Sequence, residues 1–396
     1  MRFIFPFLLP KGVSSMQLHF PCFANLILMS CLPALSGECD NWRQNHPDWI
    51  FCDDFEDTGA LVKPSRYFEY DDNDNDFINS AGVGLDGSHG MRVRFQEGEV
   101  SAGGLKVAFG RNPIEYMNKQ KIRSDENFRE IYYRMYLKMQ AGWSGSPAKL
   151  SRATCFSNAE DWRQAMIAHL WSDDNEHLLI DPAGCVDNSG IIICTKYNDF
   201  DNLKWLGNKS GVTPIFSTDH ANRWFCIEAH VKLNDPGQSN GIQEFWIDGN
   251  SEAQKTGLNF IGSFDGYAIN AVFFENYWNS GSVKLQERYF DNIVISTRPI
   301  GPFVNSSVIG GGTSNKSGFS VDVATAGNHL ITLTANRNIS RLQVFTATGR
   351  VLTDRQVAGT RAVSYNSSLS GKGIHIYRIS FIDTDAAPCS GRFCGF

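Results

Sequence analysis

Charge and helix-forming stretches are both scarce in this chain. Only 20% of its 396 residues are charged, and 36 Lys and Arg against 42 Asp and Glu leave a net charge of -6. With no basic excess to meet a polyanion, nucleic acid is not expected as a partner. Ala- and Leu-rich stretches are few, which leaves little room for long helices. No C-x-x-C occurs, so zinc-ribbon and thioredoxin-like chemistry lose their usual support. P-loop and H-E-x-x-H motifs are also missing, which removes the common phosphate cradle and the zincin protease. Gly82 to Gly87 spells G-x-G-x-x-G, but the strand pattern MRVRF follows it instead of a helix that could hold a pyrophosphate. Gly142-Trp143-Ser144-Gly145-Ser146 misses the last position of a nucleophile elbow. The run Asp71-Asp72-Asn73-Asp74-Asn75-Asp76 is rich in oxygen ligands. In the frame from Asp72, however, Phe77 and Val83 stand where a calcium-binding EF-hand loop needs Gly and Glu, so it reads as a solvated acidic turn. Pro21 and Pro33 confine the one apolar run near the N-terminus to about a dozen clean residues, short of the roughly 20 needed to cross a membrane.

Gly and aromatic residues are abundant instead, with 36 Gly, 28 Phe, 12 Tyr and 9 Trp in a chain that is 42% hydrophobic. These favour strands and turns. From about 48 to 300, short alternating runs recur between Gly, Asn, Asp and Pro: EIYYRMYLKM (130–139), QAMIAHLW (164–171), WFCIEAHVKL (224–233) and INAVFFENYW (269–278). The period of two in WFCIEAHVKL places Phe225, Ile227, Ala229, Val231 and Leu233 on one face, and Trp224, Cys226, Glu228, His230 and Lys232 on the other. Many such strands in roughly 250 residues describe an all-β, two-sheet jelly roll. Residues 1–36 read as a signal peptide, 37–300 as the jelly roll, and 301–318 as a Gly/Ser/Asn linker. Residues 319–382 read as a small β-sandwich, and 383–396 as a Cys-containing tail.

Ten cysteines are present, and eight remain beyond residue 36, an even number that suits disulfides in an oxidising compartment. Cys39–Cys52, Cys185–Cys194 and Cys389–Cys394 are the local pairs, leaving Cys155 with Cys226, although spacing alone does not fix the connectivity. The expectation is a secreted or cell-surface monomer.

The stretches FCDDFED (51–57), DGSHGMRVRF (86–95), EIYYRMYLKMQ, WFCIEAHVKL with EFWIDG, and ENYWNSG…RYFDNIVISTRPIG (275–301) occur in an order that resembles a secreted polysaccharide-lyase-like family. It is similar to the glucuronan lyases and their fungal cellulose-induced relatives, on a concanavalin-like jelly roll. The resemblance implies a structural calcium held by Glu56, Asp86, the His89 carbonyl and Asp291, oxygen donors of the kind that ion takes. It implies a β-eliminating lyase on a uronate polysaccharide, with His177 and Tyr277 as the proton-transfer pair. Leu179 stands at the family's arginine position. Arg134 or Gln164 is therefore expected to face the carboxylate, and His169, Trp171, Lys138, Trp278 and Arg288 to line the groove. A non-catalytic carbohydrate-binding protein on the same jelly roll is the alternative, favoured by Leu179. A glycoside hydrolase using carboxylates among Glu228, Glu244 and Glu275 ranks last, since no E-x-D-x-E strand is found. ISRLQVFTATGRVL and SLSGKGIHIYRISF resemble the sorting domain of the bacterial type 9 secretion route.

Overall fold

The computed structural model describes residues 37–118, 122–303, 321–326, 330–346, 351–366, 373–381 and 389–395. The expected signal peptide and most of the linker lie outside these residues. In chain order the first strands are β1 (Trp49–Asp53), β2 (Glu69–Asp71), β3 (Phe77–Ser80), β4 (Gly90–Phe95), β5 (Ser101–Ala108), β6 (Glu130–Met139), β7 (Lys149–Phe156) and β8 (Gln164–Ser172). There follow β9 (Leu178–Gly184), β10 (Lys204–Trp205), β11 (Lys209–Ser210), β12 (Trp224–Lys232), β13 (Gly241–Ile247), β14 (Asn250–Leu258), β15 (Ala271–Tyr277) and β16 (Gln286–Ser296). Among the described residues the α-helices are α1 (Trp42–Asn45) and α2 (Glu115–Asn118), four residues each.

These strands make two eight-stranded antiparallel sheets. The first runs β14-β13-β12-β6-β16-β4-β3 with β1 beside β16, and the second β10-β9-β8-β7-β15-β5-β2 with β11 beside β9. Their inner faces share one apolar core, in which the predicted inward set of β12 (Phe225, Ile227, Ala229, Val231, Leu233) meets Leu105, Val107, Met166, Leu170 and Phe274 of the second sheet. The chain is therefore a two-sheet jelly roll. The G-x-G-x-x-G segment makes a 3-10 turn at Leu85–Gly87 that feeds β4, as its context predicted. The acidic run is the β2–β3 turn, with Asn73, Asp74 and Asn75 at positive φ.

A smaller third sheet has its own core of Leu333, Ile339, Leu342, Val344, Val363, Tyr365, Tyr377, Ile379 and Phe381. It consists of β17 (Val321–Ala326), β18 (Leu330–Thr346), β19 (Val351–Asn366), β20 (Gly373–Phe381) and β21 (Cys389–Gly395). The order is β17-β18-β20-β21, with β19 paired to β18.

Disulfides join Cys39 to Cys52 and Cys185 to Cys194. The expected Cys155–Cys226 bridge is not formed, and both thiols are free and buried. Cys155 points into the core from β7, whereas Cys226 belongs to the outward set of β12, so the thickness of a sheet separates them. Cys389 and Cys394 both lie on β21, paired to β20; their side chains, and with them the expected bridge, lie outside the described residues.

Candidate functional site

On the outer face of the second sheet, two rows of side chains cross β15, β7, β8 and β9. One row follows the register Phe273–Arg152–His169–Asp181, the other Tyr277–Lys149–Trp171–Leu179. Lys149 and Arg152 are an odd number apart and would alternate faces on a regular strand. Register shifts between Lys149 and Ser151, and between Phe274 and Tyr277, bring both cations to one face, the usual effect of a β-bulge.

Arg152 is 3% exposed and fully engaged at its tips. Nη2 donates to Glu275 Oε1 at 2.8 Å and to Tyr197 Oη at 2.9 Å, and Nη1 donates to Asn198 Oδ1 at 2.7 Å. Tyr197 and Asn198 arrive from the segment after the Cys185–Cys194 clip, and Gln164 holds that segment by accepting the Asn198 N–H at 3.1 Å. Lys149 sits among rings. Its Nζ lies 4.2 Å from the Tyr277 ring centroid, 5.7 Å from Trp171 and 5.9 Å from Phe200. Burial lowers its pKa from the ordinary lysine value; Glu275 opposes that shift and Arg152 adds to it.

His169 is fully buried against Trp171, 4.0 Å between ring centroids, and under Trp205 at 5.6 Å. Its Nδ1 lies 2.9 Å from the Asp181 carbonyl, an acceptor, so that nitrogen carries the proton. Burial first, then the Arg152 charge, holds its pKa well below the usual histidine value, and the ring is neutral. Four polar atoms of this cluster find no hydrogen-bond partner among the described residues: Arg152 Nε, His169 Nε2, Trp171 Nε1 and Glu275 Oε2. A native interior rarely leaves such atoms unpaired without a reason, and a ligand is one. Phe200 and Trp205, 39% and 44% exposed, are parallel to within 11° beside the cluster, flat surfaces suited to the C–H face of a pyranose.

Several expected residues lie elsewhere. Arg134 and Lys138 are on β6, in the other sheet, on its outer face. Arg134 pairs with Glu38 and donates to the carbonyls of Gly301 and Asn292. Lys138 rests between Trp224 and Tyr289, 4.8 and 4.9 Å from their centroids. The segment after β16 straps across this same face, where Glu228 accepts the N–H groups of Ile300 and Gly301 and Tyr136 that of Phe303. Arg134 thus serves the strap and cannot face a carboxylate beside Gln164. Trp278 is a core residue packed on Phe95 and Trp143, and Arg288 lies between the sheets; neither lines the groove.

His177 sits at the β8–β9 turn with Nδ1 3.6 Å from Asp173. Its backbone lies three strands from Tyr277, roughly 14 Å at the usual strand spacing, so the two do not form a proton-transfer pair. The hydrolase reading also loses its carboxylate pair. Glu228 and Glu244 are on the first sheet, bound to the strap and to His230, while Glu275 is on the second.

Around the turn before β4, Asp291 Oδ2 accepts the Leu85 N–H at 2.6 Å and Glu56 accepts the His89 N–H at 2.8 Å. Burial pushes the Asp291 carboxyl up to about 8, and the Asp54 and Glu56 charges add to the rise. The donors are all oxygens and acids outnumber bases, which suits a hard cation. Among the described residues, though, no group of three or more His, Cys, Asp or Glu side chains is arranged to hold a metal. The Asp86 side chain lies outside those residues.

Arg152, Lys149, Tyr197, Asn198, Phe200 and Trp205 were not anticipated. The signal available for Arg152 was a lone arginine within the small, buried-looking run Ser151, Ala153, Thr154.

Fold and site together define a jelly-roll β-sandwich with a cationic, aromatic-lined face. No family model matches the chain, and no curated protein does. It is similar to the solved structure of an endo-β-1,4-glucuronan lyase from the fungus Trichoderma reesei, with 13% identity and a TM-score of 0.40 over 63% of this chain and 96% of that one. Alginate lyase vAL-1 from Chlorella virus matches at 11% identity and a TM-score of 0.42 over 65% and 97%. Cip1, a cellulose induced protein, matches at 12% and 0.36 over 64% and 100%. At these values no residue role passes from those proteins to this one. Among the described residues no helix is long and apolar enough to cross a membrane.

Proposed function

We propose that the jelly roll is a secreted lyase that cleaves a uronate polysaccharide by β-elimination on the outer face of its second sheet. What carries this reading is the meeting of Lys149, Arg152 and Tyr277 on one face, beside buried polar atoms that lack partners. Arg152 and Asn198 would neutralise the substrate carboxylate, making the adjacent C–H more acidic. Lys149, its ammonium disfavoured by burial, would take that proton as the neutral amine. As the C–H electrons form the carbon–carbon double bond, the glycosidic C–O bond breaks and Tyr277 Oη gives its proton to the leaving oxygen. Trp171, Phe200 and Trp205 would stack on neighbouring sugar rings.

The two disulfides support an oxidising destination. A structural calcium at Glu56, Asp86, the His89 carbonyl and Asp291 belongs to the same proposal, supported by the acidic surroundings of Asp291, as does a sorting role for the third sheet. One observation favours a second reading, a non-catalytic carbohydrate-binding protein: Glu275 already pairs with the guanidinium a substrate carboxylate would need.

The test is ultraviolet absorbance of the purified protein with glucuronan, alginate, pectate and a neutral glucan. A signal from unsaturated product on one uronate polymer, lost in Lys149→Ala and Tyr277→Phe but kept in His177→Ala, supports the lyase. Silence on every uronate, with retarded migration in a polysaccharide gel, supports the binding protein.

A further inference from the structure

Four arginines are buried among the described residues, and three meet an acid: Arg66 with Asp53, Arg134 with Glu38 and Arg152 with Glu275. Arg288 is the exception. It projects from β16 of the first sheet into the interior, wholly buried, with its guanidinium 5.3 and 5.1 Å from the ring centroids of Phe95 and Phe290. No carboxylate of the described residues lies within ion-pair distance of it, and burial alone lowers its pKa to about 9. An uncompensated cation in an apolar core costs folding free energy, and an apolar residue of similar shape is often tolerated better. A cation placed there at such a cost calls for a use.

That use is at β15. Arg288 Nη2 donates to the Glu275 carbonyl at 2.7 Å, and Nε and Nη2 both donate to Asn276 Oδ1, at 3.1 and 2.7 Å. This is where the register of β15 shifts against both neighbours, between Glu275 and Tyr277 on the β5 side and between Phe274 and Tyr277 on the β7 side. The guanidinium grips the inner side of the strand at this irregularity, and the outer side carries Glu275 against Arg152 and Tyr277 against Lys149.

We propose that Arg288 is a positioning residue of this face: reaching across the core from the opposite sheet, it fixes the stretch of β15 where the register shift sets Tyr277 opposite Lys149 and where Glu275 meets Arg152. The kinetic part of this inference rests on the lyase reading; the geometric part does not.

The experiment compares full-length wild type with Arg288→Met, of similar length and uncharged, and Arg288→Lys, which keeps the charge but not the fork. Arg288→Met is expected to melt at or above the wild-type temperature. It should lose about tenfold to a hundredfold in kcat with KM within about twofold, the cost of a displacement near 1 Å at reacting groups. Its crystal structure should show the Glu275–Arg152 contact broken, and Arg288→Lys should restore part of both losses. A Met variant with Glu275 and Tyr277 unmoved overturns the proposal, as does an activity loss that merely follows the unfolded fraction. If Arg288→Met does not fold, the same two readouts on Arg288→Lys decide. If wild type cleaves no uronate polymer, the lyase reading fails and the crystallographic comparison decides the positioning role alone.

Discussion

Arg152 on β7 and Glu275 on β15 form an ion pair at 2.8 Å on the outer face of the second sheet, with side chains 3% and 15% exposed. Water reaches neither charge freely, so each depends on the other. Glu275→Ala would strand a buried guanidinium and is expected to cost about 3–5 kcal/mol, read from urea unfolding. The double variant Arg152→Met/Glu275→Met should recover most of that loss. An additive double variant would mean that the two charges are not energetically coupled.

The pH dependence of turnover should report Lys149. A base that works as the neutral amine gains activity as pH rises, with a midpoint below the ordinary lysine value of 10.5, because burial lowers its pKa. Since Glu275 favours the ammonium, Glu275→Gln should move the midpoint lower still. A rate independent of pH across the alkaline limb would remove Lys149 as the base.

Stability against pH separates two neighbours on the first row. His169, depressed by burial, contributes stability that is present above its unfolded value of 6.5 and lost as pH falls below it. Asp181, raised by burial to about 6, acts with the opposite sign: its contribution is present below 3.8 and lost as pH climbs through about 6. His169→Gln should therefore flatten the acid side of the stability curve by up to about 1.4 kcal/mol per pH unit. Asp181→Asn should instead stabilise the protein at pH 7. Identical curves for wild type and His169→Gln would show that the ring titrates in the folded state as it does in the unfolded chain.

Calcium is expected to stabilise the fold by about 2.7 kcal/mol once its concentration is a hundred times Kd, read as a higher melting temperature than in chelator. Asp291→Asn should abolish that gain. A melting temperature indifferent to calcium would remove the ion from the proposal.

Strand parity was legible in the sequence, but the identity of the sheet was not. The alternation in β12 named its inward residues correctly, and Tyr132, Arg134, Tyr136 and Lys138 do share one face of β6. Two sheets have two outer faces, however, and only the strand order decides that β6 lies in one and β7, β8 and β15 in the other. Tyr277, Gln164, His169 and Trp171 fell on the groove side, whereas Arg134 and Lys138 did not. The odd spacing of Lys149 and Arg152 hid their kinship, because register shifts that override alternation leave no pattern in composition. Tyr197 and Asn198 reach the site through a clipped loop whose path depends on contacts distant in sequence.

The strap from Ile300 to Phe303 also has a mechanical meaning. Its hydrogen bonds to Glu228 and Tyr136 dock the outgoing chain on the first sheet, on the side of the sandwich turned away from the groove. Tension applied to the chain beyond Phe303 would load those bonds first and leave the β7–β15 ladder unstressed. A molecule held through that end could therefore be pulled without distorting the outer face of the second sheet.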